Sequence, residues 1–173
     1  MKLKGQHISL RAIEPSDIDL LYKWENDTET WSVSNTQTPY SRFVLEQYIA
    51  SAHQDIYSVK QLRLIICNEE GRAVGSIDLF DFDPTHLRAG IGILIAEKSD
   101  RKKGYAFDAL TVLIDYCFSV LNLHQLYCNV TIDNEASVLL FQKHGFQITG
   151  MKKQWVRDGD KFKDELLLQK IRG

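Results

Sequence analysis

Apolar residues along the chain follow two periods. At 7–12, Ile8 and Leu10 alternate with polar neighbours, the spacing of a short strand. Ser16, followed by Asp17 and Asp19, predicts a helix start with a capping hydroxyl and acids in the first turn. Ile18, Leu21, Tyr22 and Glu25 continue that helix with a narrow apolar face. The Asn-, Thr- and Ser-rich stretch 26–39 reads as a loop, after which Ser41 caps a second helix carrying Val44, Tyr48 and Ala52 at four-residue spacing. Segments 62–67 and 73–82 read as two strands of a hairpin turning at Glu69, Glu70 and Gly71. In 88–96, Ile91, Ile93 and Ile95 recur at period two and are interleaved with Gly90 and Gly92. That strand has one nearly bare face, which something approaches closely.

The segment 104–121 places Ala106, Leu110, Leu113, Cys117 and Leu121 at helical spacing. Phe107, Ile114 and Phe118 widen the stripe until it is apolar almost all round, which predicts a central buried helix. A strand at 125–131, a short helix at 134–144 and two strands flanking Asp158-Gly159 and ending near Gln169 complete the order. Strands before and after helices in this order predict an α/β (α+β) fold, a mixed sheet with helices on both faces. With 173 residues and no internal repeat or linker-like stretch, the chain reads as a single domain over 1–173.

Charge narrows the partners. Lys plus Arg number 21 against 23 Asp plus Glu, a net charge of −2, so bulk charge does not support nucleic-acid binding. No apolar run approaches the roughly 18 residues that cross a bilayer. Lys2 and Lys4 are followed by Gln6, His7 and Ser9 where a secretory leader carries an apolar core, so a cytoplasmic protein is expected. Cys67, Cys117 and Cys128 are odd in number, lack Cys-x-x-Cys spacing and sit in apolar runs. They read as small core residues in a reducing compartment, and no metal is expected.

The densest chemical signal is Arg101-Lys102-Lys103-Gly104-Tyr105-Ala106, between the Gly-bearing strand and the buried helix. Cations at a helix N-terminus oppose its dipole at about 0.3 to 1 kcal/mol each. An anion on the turn relieves that conflict: Gly104 lets backbone approach a phosphate, and the first-turn N–H groups point at it. A solvated basic turn is the alternative. The chain contains neither Gly-x-x-x-x-Gly-Lys-Ser/Thr nor Gly-x-Gly-x-x-Gly.

Arg101, Gly104 and Ala106 match the Gln/Arg-x-x-Gly-x-Gly/Ala signature of the GNAT superfamily of acyl-CoA-dependent N-acetyltransferases, which this chain resembles. Asn134-Glu135-Ala136-Ser137 followed by Lys143-His144-Gly145-Phe146 is similar to the family's Asn-x-x-Ser and Lys-x-Gly-Phe ending. Leu10-Arg11-x-Ile13-Glu14-x-x-Asp17 resembles the opening of the branch that holds ribosomal-protein alanine and spermidine N-acetyltransferases. The resemblance implies a splayed, mostly antiparallel sheet and acetyl-CoA as co-substrate. It implies that backbone N–H groups of Ile93, Leu94 and Ile95 meet the pantetheine arm while the loop of Arg101, Lys102, Lys103, Gly104, Tyr105 and Ala106 cradles the pyrophosphate. Asn134, Ser137 and Phe141 would then flank pantetheine or the thioester. Without the family context, Asn134 reads as a helix cap and Phe141 as a core aromatic.

Attack of an amine on a thioester needs a base, an oxyanion stabiliser and an acid. An alkylamine of pKa near 10.4 has about one molecule in 2,500 neutral at pH 7, so a base or water chain helps. The family branch often places an acid after the Ala of the fourth strand; Gly90 stands there. Asp78 and Asp81 are the remaining carboxylates, and strand alternation turns them to opposite faces unless a bulge intervenes. Their other reading is as exposed edge acids. A backbone N–H near Leu94 or Ile95 would stabilise the oxyanion. Phe141 occupies the family's usual thiolate-protonating Tyr position, which leaves the Ser137 hydroxyl, the group that the alanine-acetylating branch is thought to use.

Glu25, Asp27 and Glu29, with Asp78, Asp81 and Asp83, favour a small cationic acceptor such as a polyamine. The alternative acceptor is the α-amine of a ribosomal or other protein, about a tenth neutral at pH 7 and tolerant of a missing base. Gly90 and Phe141 together raise a third reading, a non-catalytic acyl-CoA-binding module. Trp31 and Tyr40 read either as acceptor-pocket lining or as packing on the core. A homo-oligomer is compatible with the chain.

Overall fold

The computed structural model describes residues 3–173, so Lys2 in the reading against a leader lies outside them. Strands β1 (Ile8–Arg11), β2 (Leu62–Asn68), β3 (Ala73–Asp83), β4 (Arg88–Ile95), β5 (Gln125–Thr131), β6 (Gln147–Asp158) and β7 (Lys161–Ile171) form one seven-stranded sheet in the order β1-β2-β3-β4-β5-β7-β6. Every neighbouring pair is antiparallel except β4 and β5, which run parallel. This is the mixed, mostly antiparallel sheet expected.

Six helices accompany it among the described residues: α1 (Ile18–Glu25), α2 (Trp31–Ser34), α3 (Arg42–Ser51), α4 (Ile56–Val59), α5 (Tyr105–Ser119) and α6 (Glu135–Lys143). Alternation in β2 explains how they are divided. Leu64 and Ile66 join the core formed with Ala109, Leu110 and Leu113 of α5 and Phe141 of α6, whereas Ile65 and Cys67 pack with Leu21, Trp24 and Leu45 of α1 and α3. A strand covered on both faces reads as a continuous apolar run, and β2 does. Cys67, Cys117 and Cys128 are buried core residues as expected, and burial pushes the Cys117 and Cys128 thiols up to about 12. No helix among the described residues is long and apolar enough to cross a membrane.

The helix boundaries depart from expectation in instructive places. Ser16 caps nothing; it lies exposed in a short turn, Pro15–Asp17, and Asp17 does the work. Asp17 accepts the Glu14 N–H at 2.7 Å and both guanidinium arms of Arg11 at 2.8 Å each. The expected loop 26–39 contains α2, and α4 rises where no helix was expected, capped by Asp55 accepting the Tyr57 and Ser58 N–H groups. Helix α5 is not apolar all round: Phe107 stands 45% exposed, its ring 4.2 Å from that of His144.

Candidate active site

Strands β4 and β5 pair only through Arg88–Gly90 with Gln125–Tyr127. Beyond Gly90 the ladder stops, while the opposite edge of β4 stays paired with β3 as far as Gly75 and Ile95. Ile93, Leu94 and Ile95 therefore lie on the part of β4 that has no partner strand on its β5 side.

At the far end of that stretch, a turn at Lys98–Asp100 leads into the basic loop. Lys102 has φ 62° and Gly104 φ 81°, both left-handed, which turns successive N–H groups toward one concave side. A Cβ at Gly104 would meet open space, so only the backbone conformation demands glycine there. Asp108 is the first residue of α5 to reach back, to the Gly104 carbonyl at 3.0 Å, so the earlier N–H groups of the first turn are orphans.

The three cations differ in what they do. Arg101 Nε donates to the Ile95 carbonyl at 3.3 Å, tying the loop to β4. Lys103 Nζ lies 3.8 Å from Asp100, a carboxylate only 2% exposed that also binds Arg72. Lys102 is exposed without such an anchor. Tyr105 and Ala106 are half-buried, their side chains packed against the core.

On α6, Asn134 is the helix cap, its Oδ1 accepting the Ser137 N–H at 3.3 Å. The half-buried Ser137 hydroxyl makes no hydrogen bond among the described residues. Phe141, expected beside the cofactor, is 3% exposed and packs edge-on against Phe146 at 5.1 Å. Its ring belongs to the core and offers a ligand almost no surface.

The sheet face opposite α5 holds the second set of groups. Asp78 sits across the ladder from Gly92, just past the point where β4 and β5 part. It is no edge acid, since β3 is an interior strand. Both of its oxygens accept from Arg63, Oδ1 from Nε at 2.9 Å and Oδ2 from Nη2 at 2.8 Å, while Arg63 Nη1 donates to Glu25. Burial works against the Arg63 charge, but the hydrogen bonds and charge of Asp78, with that of Glu25, outweigh it and raise its pKa. The Tyr48 ring lies 5.9 Å from the guanidinium, and burial raises the pKa of its phenol.

Tyr48, Arg63 and Asp78 border a cavity of about 100 Å³ that reaches Gly92, with Glu25 behind Arg63 and outside the lining. The bare face expected from the two glycines is half covered: the Phe80 ring occupies the space above Gly90, whereas nothing stands over Gly92. Phe80 in turn meets Tyr127 edge-on at 5.9 Å. Asp81 has φ 47° in a bulge of β3, so the interruption that could bring both acids to one side is present. Burial first, and then the Asp81 charge, raise the pKa of the Tyr127 phenol.

A neighbouring cleft of about 270 Å³ lies beside Trp24, Asp27, Leu94 and Glu97. Its acids are mostly engaged: Lys23 binds Glu97 at 2.6 Å, Lys98 binds Glu29 at 2.9 Å, and Asp27 accepts the Glu29 N–H. Trp31 donates Nε1 to the Glu25 carbonyl and Tyr40 exchanges hydrogen bonds with Asn26, so both brace the end of α1. Arg63 and Tyr127 escaped notice in the sequence, and Tyr48 reads there only as part of a helix face. Arg63 alone left a signal, being the one charge inside the apolar run 62–67.

Known proteins are similar to this chain in sequence and fold. The acetyltransferase (GNAT) domain family matches residues 7–147. The chain is 27% identical over 142 residues to the spermidine N(1)-acetyltransferase of Vibrio cholerae serotype O1, covering 82% of this chain and 80% of the relative. It is 39% identical over 155 residues to the N-acetyltransferase 9-like protein of Nematostella vectensis, covering 83% of this chain and 76% of that one. The crystal structure of the Vibrio cholerae spermidine N-acetyltransferase in complex with CoA and spermine superposes with a TM-score of 0.85 at 22% identity, covering 95% of both chains. With its signature loop, its parted strands and a family match over most of its length, this chain belongs to the GNAT family of acetyltransferases.

Proposed function

We propose that this enzyme uses acetyl-CoA to acetylate the primary amine of a small cationic acceptor, such as a polyamine. The observation that carries the reading is the end of the β4–β5 ladder at Gly90, which leaves a gap between the basic left-handed loop and the Glu25–Arg63–Asp78 cluster. A long, thin ligand with a polyanionic end fits such a gap. The open backbone at Gly104 and the orphan N–H groups opening α5 suit a pyrophosphate, with Arg101 and Lys102 adding charge. The unpaired β4 edge from Ile93 to Ile95 suits the amide groups of a pantetheine arm. When bound, acetyl-CoA supplies a thioester carbon open to an amine and a thiol as leaving group.

The chain's own groups then divide the work. The backbone N–H of Ile95, on the unpaired edge of β4, holds the carbonyl oxygen, since ladder alternation turns that of Leu94 toward β3. Ser137, whose hydroxyl makes no hydrogen bond among the described residues, gives a proton to the departing thiolate and is reprotonated from water, which also takes the proton that the attacking amine sheds. Asp78, fixed beside Gly92, draws the acceptor's distal cation into the cavity. A net negative cluster there favours a cationic amine over a neutral peptide N-terminus, and the relatives named for spermidine support the same choice. The reading is tested by incubating the protein with acetyl-CoA and a mixture of polyamines, diamines and Ala-initiated peptides, then identifying products by mass. Acetylated polyamine or diamine is expected; acetylated peptide alone would assign the acceptor to proteins.

A further inference from the structure

Resting on that reading, we infer that Arg63 sets the charge of the acceptor, selecting an amine with one distal ammonium. Two carboxylates face one guanidinium in this cluster, which leaves one net negative charge beside the cavity at Gly92. All three side chains are substantially withdrawn from water, with Glu25 21%, Arg63 24% and Asp78 28% exposed, so the charge is felt at short range with little screening.

The geometry separates this from an ion pair that merely staples α1 to the sheet. Arg63 presents its planar fork to Asp78, fixing that carboxylate in one orientation. Each Asp78 oxygen accepts one N–H from the fork and keeps a further lone pair for another donor. Across the ladder, Gly92 has no side chain to block it, and nothing else lies above that position. An ammonium entering the cavity therefore meets an oriented, half-compensated carboxylate. One cation neutralises the cluster; a second would leave it with a net positive charge. Without Arg63, the same pocket would hold two unbalanced carboxylates and suit a more highly charged amine.

The test is a charge series read in acceptor KM, with 1,5-diaminopentane, pentylamine and spermidine as probes. In the wild type the diamine should have a KM about tenfold below that of pentylamine. Glu25→Gln, which leaves the fork on Asp78 intact and brings the cluster to zero charge, should erase that ratio. Arg63→Gln should move preference the other way, lowering the spermidine KM relative to the diamine by about tenfold, and Arg63→Lys should restore the wild-type order. The effects should shrink with added salt while kcat changes less than KM. Should Arg63→Gln melt below the assay temperature, Glu25→Gln still decides. A diamine-to-pentylamine ratio that ignores Glu25→Gln overturns the inference and leaves the acetyltransferase reading standing. Absence of turnover with every amine removes that reading, and the inference with it.

Discussion

Asp100 holds Arg72 with both carboxylate oxygens, at 2.7 and 2.9 Å, and so ties the turn between β2 and β3 to the loop that opens α5. The Arg72 hydrogen bonds hold the Asp100 carboxyl below its ordinary value of 3.8, and Arg11 does the same to Asp17. A carboxylate with a lowered folded pKa adds stability that is complete above the ordinary value and is lost as pH falls through the folded one. Asp100→Asn should therefore lower Tm at neutral pH by about 2 to 4 °C and flatten its decline in acid. Thermal melts from neutral pH down to pH 3 would show it; a parallel downward shift at every pH would mean that the carboxylate's charge contributes nothing.

The two lysines of the basic loop should separate in mutation. Lys102→Glu should weaken CoA binding about tenfold to a hundredfold and leave the apo melting temperature unchanged or higher, because a charge opposing the helix dipole is removed. Lys103→Glu should weaken CoA binding and lower Tm as well, since it sets a second carboxylate near buried Asp100. Unaltered CoA affinity of Lys102→Glu by titration calorimetry would refute the phosphate assignment.

Ser137→Ala should slow the acetyl-transfer step by about 10- to 100-fold with little change in CoA affinity. The protein should stay folded, because the hydroxyl makes no hydrogen bond among the described residues. Phe141→Tyr should not rescue it: position 141 is sealed against Phe146, so the added hydroxyl would be buried and Tm should fall. Wild-type single-turnover rates in Ser137→Ala would leave water as the acid.

Gly92 and Gly90, two residues apart on one face, should respond oppositely to a side chain. Gly92→Val projects into the open cavity and should raise acceptor KM about tenfold or more while leaving Tm unchanged or higher. Gly90→Val collides with the Phe80 ring and should destabilise the fold. Acceptor kinetics paired with melting curves check both, and an unchanged acceptor KM in Gly92→Val would place the amine elsewhere.

Much of the fold was legible because the signals were local. Ile8 and Leu10, the isoleucines of β4 and the stripe of α5 each show in a few neighbouring positions which face is buried. The signature loop was legible for the same reason, since Arg101 to Ala106 are consecutive. What could not be read depends on register. Glu25, Arg63 and Asp78 are far apart in the chain and meet only because β2 and β3 pair with Arg63 opposite Asp78. The parting of β4 from β5 leaves no trace in the residue pattern either and is implied only by the family resemblance, because Ile91, Ile93 and Ile95 alternate whether or not a strand lies alongside. Ser16 misled for a third reason: the Asp17 beside it, held by Arg11, takes the cap position, which moves the helix start by one residue.

The most direct measurement is the initial rate of thiol release from acetyl-CoA with the wild-type protein, comparing a polyamine, a diamine and an Ala-initiated neutral peptide at low and high salt. Acetyl transfer to a small cationic amine predicts saturable release with the polyamine and the diamine, a KM that rises with salt, and slow release with the peptide. Release with the peptide alone, insensitive to salt, would contradict it, as would thiol release no faster than spontaneous hydrolysis with every amine.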